Sequence, residues 1–285
     1  MPKLNGIDTL KIIKKDYDLP VIMLSSLSDR DITIEALEEG ALDFIVKPSD
    51  LRSNLEDFKM ELEIKLKSIG HRSMGKSIID KKASPTGRGS RTNQKAGPQR
   101  SIEAVVIGAS TGGPKALTEV IRKVPRELNI PIFIVQHMPK GFTSSFAARL
   151  NKEADVKVVE AEDNMLIQKG VVYLAPGDYH MEIEGSRIKL NSKDKIYGVR
   201  PAVDYLFNSA AQVYKDKLLA IIMTGMGRDG AEGMKTIKDM GGYNIAQNEE
   251  TCVVYGMPGN AVAKGVIDLI LSLDDISDCV NKCLV

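Results

Sequence analysis

The sequence predicts an α/β protein whose larger, C-terminal part is a doubly wound, mostly parallel sheet carrying one antiparallel hairpin. Three observations predict it. Short apolar runs alternate with stretches of helical periodicity, an order that implies parallel strands joined by crossover helices. The alternation is interrupted once, between residues 68 and 100. It yields once to a hairpin signature, HMEIEGSRIKL at 180–190, with Gly185 and Ser186 at the turn.

Before the interruption, LPVIMLS (19–25) reads as a buried strand. Ser28 with Asp31 offers a helix start, and Gly40 a stop, for the helix over 32–39. LDFIV (42–46) is a second strand, ended by Lys47 and Pro48. Leu51, Leu55, Phe58 and Leu62 then recur at helical spacing.

From Ser68 to Arg100 there are eight Lys/Arg and one Asp, with abundant Ser, Gly, Pro and Thr. Such a segment buries too little apolar surface to offset chain entropy, so 68–100 is expected to be a flexible basic linker between regions 1–67 and 101–285. Its charge either stays solvated or touches an acidic partner. GHRSMGKS (70–77) fits the phosphate-loop pattern, but that loop needs a strand before it and a helix after it. Here an amphipathic helix precedes it, which argues against nucleotide binding.

After the linker, strands are expected at 103–108, 131–136, 156–160, 171–175, 218–224 and 243–247. Helices are expected at 114–123, 142–153, 200–214, 229–239 and 274–283. The region is long enough for its own core, and no internal repeat is evident.

The near-neutral charge balance gives no reason to expect a nucleic-acid partner. No apolar run approaches the roughly 20 residues of a membrane helix, and the N-terminus does not read as a signal peptide. Cys252, Cys279 and Cys283 cannot form a disulfide framework, which implies a reducing, cytoplasmic setting. No other ligand clusters near Cys279 and Cys283, so they read as core residues rather than a metal site.

Chemistry is suggested by IGASTGGP (107–114). In an open parallel sheet, ligands sit beyond the carboxyl ends of the strands. Ser110 falls just past such an end, and GASTG matches the nucleophile-elbow pattern G-x-S-x-G. Pro114 suits the first turn of the next helix. The same glycines also suit a plain turn or a phosphate site.

A serine hydroxyl needs a base, and histidine is the usual one. His71 lies in the expected linker and His180 opens the hairpin, where a structural role suits it. His137 ends the strand that follows Ser110, and adjacent strands lie about 5 Å apart. An orienting carboxylate is supplied by LAIIMTGMGRDGA (219–231), where Asp229 follows a third strand. Asp229 could equally cap the helix over 229–239. Asp163, Asp178 and Asp204 are rivals, with Asp178 the strongest because it lies beyond the strand VVYL. The order Ser, His, Asp differs from the Ser, Asp, His order of α/β-hydrolases.

GASTGGP (108–114), QHMP (136–139) and MTGMGRDGA (223–231) closely resemble the three active-site motifs of chemotaxis protein-glutamate methylesterases. The resemblance runs through 101–285. It implies Ser110 as nucleophile, His137 as general base and acid, and Asp229 as orienting carboxylate. Backbone N–H groups at Met226 and Thr111 are implied as oxyanion donors. It implies hydrolysis of glutamyl γ-methyl esters on methyl-accepting chemotaxis receptors, deamidation of receptor glutamines, and no cofactor or metal.

Residues 1–67 resemble the latter half of a receiver (response-regulator) domain, a partial flavodoxin-like fold. Met1, Pro2, Asn5 and Gly6 look like the segment after the phosphoacceptor loop. Ser25 or Ser26 stands where the switch hydroxyl would be, and Lys47 with Pro48 matches the family's Lys-Pro pair. By this pattern the phosphoacceptor aspartate lies upstream of Met1, and the first three strands are missing. A truncated or misassigned start is therefore expected, and phosphorylation by the chemotaxis histidine kinase would require a full receiver. Two other classes stay open at this stage: a nucleotide-binding α/β domain, and a signalling module without chemistry.

Overall fold

A computed structural model describes residues 5–17, 19–26, 28–48, 55–75 and 101–284. The N-terminal region contains α1 (Gly6–Asp16), β1 (Ile22–Ser25), α2 (Arg30–Glu38), β2 (Asp43–Val46) and α3 (Leu55–Gly75). β1 and β2 pair in parallel, with Ser25 opposite Val46. α1, not among the expected helices, begins where the Asn5 side chain accepts from the Asp8 N–H at 2.8 Å as its N-cap. The N-cap of α2 is Asp29, and the expected start at Ser28 is not used as a cap.

α3 runs to Gly75, past the expected start of the linker. His71 and the first six residues of GHRSMGKS therefore lie in helical backbone rather than in a glycine-rich loop. No strand leads into the motif, so the phosphate-loop geometry is not met there. Met1 and Pro2 lie outside the described residues, as do 76–100 of the linker.

The C-terminal region holds β3 (Ala104–Ala109), α4 (Gly113–Ile121), β4 (Ile132–Gln136), α5 (Phe142–Glu153), β5 (Lys157–Glu160) and β6 (Val171–Leu174). The hairpin β7 (His180–Glu184) and β8 (Arg187–Asn191) follows, then α6 (Val203–Tyr214), β9 (Leu218–Ile222) and α7 (Ala231–Asp239). The chain continues with β10 (Tyr243–Gln247), α8 (Met257–Ala263), β11 (Leu269–Leu271) and α9 (Leu273–Leu284). Seven strands form one parallel sheet in the order β11-β10-β9-β3-β4-β6-β5. β11 and α8 were not expected: each is short, and GMPGNAVAKG reads as turn chemistry until it packs.

β3, β4 and β9 are buried along their whole length, as strands covered on both faces must be. One core layer joins one face of the sheet to α4, α5 and α9 and includes Ile7, Leu10, Ile34, Leu37 and Phe44 of the N-terminal region. The other layer packs α6, α7, α8 and the hairpin on the opposite face. The two regions meet chiefly through α2 and α5. Phe44 stacks on Phe142 with ring centroids 4.7 Å apart, and Ser145 donates to Asp31 at 2.8 Å. Arg149 pairs with Glu38. None of the described helices is long and apolar enough to cross a membrane.

Candidate active site

The sheet order sets β3 between β4 and β9, so the exits of these three strands lie side by side. The strand order reverses at β3: β4 follows on one side, and β9 arrives on the other after the hairpin. This is the kind of crevice in which ligands of open α/β sheets bind. Ser110 follows β3, His137 follows β4, and Asp229 follows β9.

The turn after β3 is built for close approach. Gly112 sits at φ +77°, and a side chain there would strike Val253. Ser110 N–H donates to Thr224 O at 3.0 Å, tying the β3 exit to the β9 exit. Gly225 lies against the serine: a Cβ on it would stand 2.8 Å from Ser110 Cβ. Ala109 and Gln136 are register partners, and His137 N–H donates to Ala109 O at 3.1 Å. The Gln136 amide, buried behind the turn, donates to Ser110 O at 3.0 Å and to His137 O at 3.1 Å. One side chain thereby pins the peptide after the hydroxyl and the peptide after the imidazole, a connection the sequence did not announce. Thr224 adds a second clamp, donating to Thr111 O at 2.9 Å while accepting from Val253 and Val254 N–H at 3.1 and 3.0 Å.

His137 Nε2 is 2.8 Å from Asp229 Oδ2, with the imidazole 10% and the carboxylate 2% exposed. Nδ1 is the ring nitrogen that Asp229 does not engage. That inverts the arrangement of the familiar template, in which the carboxylate holds Nδ1.

Asp229 also accepts from Val203 N–H at 2.6 Å and Asp204 N–H at 3.0 Å. It therefore caps the first turn of α6. The expected role as cap of its own following helix falls to Gly230, at φ +91°, because the chain must turn sharply before α7. Burial pushes the Asp229 carboxyl up, but the His137 bond and charge and the two N–H donors outweigh it and hold the group below the usual range.

The rival carboxylates are used elsewhere. Asp163 accepts from Leu190 N–H at 2.9 Å on the hairpin. Asp178 is exposed, at φ +71°. Asp204 is buried behind the site and accepts from Gly233 N–H at 2.7 Å, capping α7. α6 and α7 thus exchange caps: Asp229, just before α7, holds the first turn of α6, and Asp204, in the first turn of α6, holds that of α7. Burial, then the neighbouring Asp229 charge, pushes the Asp204 carboxyl up to about 7.

His180 is fully buried. Its Nδ1 accepts from Ala202 N–H at 3.1 Å and its Nε2 lies 3.1 Å from Asp194 O, so the expected structural role holds. Cys252 and Cys279 are buried, while the Cys283 side chain lies outside the described residues. Among the described residues no cluster of His, Cys, Asp or Glu could hold a metal ion.

Ser25 and Thr33 hydroxyls bond to each other in the N-terminal region, and Ser26 donates to Asp29 at 2.6 Å. Lys47 N–H donates to Ser25 O at 2.6 Å, so Ser25, Ser26 and Lys47 gather at the carboxyl ends of β1 and β2.

The model of the CheB methylesterase family matches residues 105–280. The chain belongs to that family. A response regulator receiver domain model matches residues 1–58. The protein-glutamate methylesterase/protein-glutamine glutaminase of Clostridium acetobutylicum is 46% identical over 286 residues, spanning 99% of this chain and 81% of that one. The protein of the same name from Bacillus subtilis is 40% identical over 298 residues, spanning 100% of this chain and 83% of its own. The crystal structure of the Thermotoga maritima CheB methylesterase catalytic domain aligns with a TM-score of 0.61 at 43% identity, covering 64% of this chain and 99% of that chain.

Proposed function

We propose that Ser110, His137 and Asp229 carry the hydrolysis for which the CheB methylesterase family is named, as nucleophile, general base and acid, and orienting carboxylate. The chain is a protein-glutamate methylesterase/protein-glutamine glutaminase acting in chemotaxis adaptation. The observation that carries the residue roles is the 2.8 Å bond between His137 and Asp229, beside a serine one strand away in the same register.

In this reading Ser110 Oγ attacks the γ-carbonyl carbon of a glutamyl methyl ester on a chemoreceptor. His137 Nδ1 takes the hydroxyl proton. Asp229 holds the opposite nitrogen, fixing the tautomer and stabilising the imidazolium. The tetrahedral intermediate collapses, the C–O bond to the methoxy group breaks, and His137 returns its proton to departing methanol. Water then attacks the acyl-serine with His137 as base, releasing glutamate. With a glutamine substrate, ammonia leaves in place of methanol.

Support for an oxyanion donor at Met226 comes from the preceding carbonyl. Gly225 O accepts from Gly256 and Met257 N–H at 3.0 and 2.8 Å. In a trans peptide the following N–H points the opposite way, so Met226 N–H faces away from α8. Thr111, whose carbonyl is held by Thr224, is the second proposed donor. One such donor is typically worth about 3–4 kcal/mol in the transition state.

Chemoreceptors are the substrates in this reading, and the chemotaxis histidine kinase is the partner expected of a receiver domain. A nucleotide-binding or purely signalling role leaves the His137–Asp229 bond without a purpose. The test is Ser110→Ala: methanol release from a methylated receptor should vanish while the variant stays folded, and retained release would remove Ser110 from the role.

A further inference from the structure

The exits of β4 and β9 carry one exposed cation each, and each lies on a tyrosine. Arg228, one residue before Asp229, stands over the Tyr197 ring with its guanidinium carbon 4.7 Å from the centroid. Lys140, three residues after His137, stands 6.0 Å over Tyr179. The two tyrosines are 44% and 39% exposed, large rings that the fold leaves at the surface. In sheet order the two exits flank the exit of β3, so the cations lie on either side of Ser110.

The rim between them is continuous. Gly177 packs on the Pro139–Lys140 backbone, where a Cβ would come within 2.3 Å. Asp178 N–H donates to Arg200 O at 3.2 Å, and Val203 N–H, just beyond, donates to Asp229. The 176–203 segment therefore bridges the two exits. Some exposed lysines elsewhere are engaged with carboxylates, as Lys123 is with Asp274 and Lys264 with Glu232. Neither Arg228 nor Lys140 has an ion pair among the described residues. A cation resting on an aromatic face keeps its charge available to a partner.

We propose that Arg228 on Tyr197 and Lys140 on Tyr179 form the docking rim for the substrate, and that they read free glutamates flanking the esterified one on an acidic receptor helix. This rests on the esterase reading. The ester group itself is neutral, so these charges have nothing to gain from it. Unesterified glutamates in the same segment supply the complementary carboxylates, and the tyrosine faces supply contact for the aliphatic parts of the helix.

The experiment measures methanol release from a methylated receptor fragment across ionic strength, using the full chain. Arg228→Gln with Lys140→Gln should raise KM about three- to tenfold with a much smaller change in kcat, and should flatten the salt dependence. Arg228→Lys should keep most of the salt dependence. On the other side, replacing the flanking receptor glutamates by alanine should raise KM for the wild type and make it insensitive to the Gln substitutions. Alanine is used because glutamine is itself a substrate of this class. Unchanged KM and salt slope in the double variant, with the wild type active, would overturn the docking proposal alone. Absence of methanol release by the folded wild type would instead overturn the esterase reading, and the docking proposal with it.

Discussion

His137 and His180 stand about forty residues apart in the same C-terminal region, and their surroundings differ in kind. The structure gives His180 a backbone partner on each ring nitrogen, Ala202 N–H and Asp194 O, and lays its ring 4.0 Å from that of Tyr205. Nothing is left over for a substrate. Burial, with Arg200 nearby, depresses its basicity, against the opposing pull of the Asp194 carbonyl. His137 has one nitrogen on a buried carboxylate and an edge open to solvent. A histidine saturated by backbone holds a fold together. A histidine with one nitrogen held by an acid and the other uncommitted can move a proton.

The comparison breaks most sharply at Asp229. Asp229→Asn keeps an acceptor for the Asp204 N–H, but an amide in the place of Oδ2 faces both His137 and the Val203 N–H, favouring the wrong tautomer. Methanol release should fall by about 10³–10⁴-fold, with the variant still folded. Single-turnover measurement of methanol with a thermal melt in parallel would check this. A loss below tenfold would mean that Asp229 serves α6 and not the imidazole.

His180→Phe should behave in the opposite way. It strands the buried Ala202 N–H and disturbs the Tyr205 contact, at a cost of about 2–4 kcal/mol of stability. The kcat of the folded enzyme should change by less than about threefold. The pH sign follows from its depressed basicity. Below the ordinary value of 6.5 the unfolded chain takes up a proton that the folded one resists, so His180 destabilises the fold as pH falls. The Phe variant should lack that part of the acid-side decline in a denaturant titration. A collapse of kcat like that of Asp229→Asn would make His180 a participant in the chemistry.

Much of this was legible in the sequence because strand exits are marked by composition. IGASTGG, QHMP and MTGMGRDG each join an apolar run to turn residues, and an open parallel sheet brings such exits to one edge. The pairing of His137 with Asp229 rather than with Asp178 was not legible from spacing. It depends on strand order: β9 inserts beside β3, whereas the chain after β6 opens into the hairpin and is held through Asp178 N–H to Arg200 O. Gln136 opens the QHMP motif without a role of its own in the sequence, since nothing in one dimension says that its amide spans two turn carbonyls. The start of α6 was set three residues early because Arg200-Pro201 looks like a helix opening, while the first turn is decided by Asp229, far along the chain. β11 and α8 were missed for a simpler reason: three- and seven-residue elements carry too little periodicity to be seen without their neighbours.

The smallest effect sharpens the contrast between the two buried acids that cap each other's helices. Asp229 is held ionised by a histidine and two N–H donors, whereas Asp204 sits behind it with its carboxyl pushed up to about 7. Between its ordinary value of 3.8 and about 7, the folded protein keeps a proton on Asp204 that the unfolded chain has lost. Stability should therefore decline as pH rises through that window, by ~1–3 kcal/mol once the other groups are subtracted. Asp204→Asn cannot titrate and should flatten this decline, whatever offset the amide adds by meeting the Gly233 N–H differently. Urea midpoints of wild type and variant across that range would measure the difference in slope. Parallel slopes would mean that Asp204 stays ionised beside Asp229, so that α6 and α7 hold two charges in contact and the cap exchange is far stronger than its hydrogen bonds alone suggest.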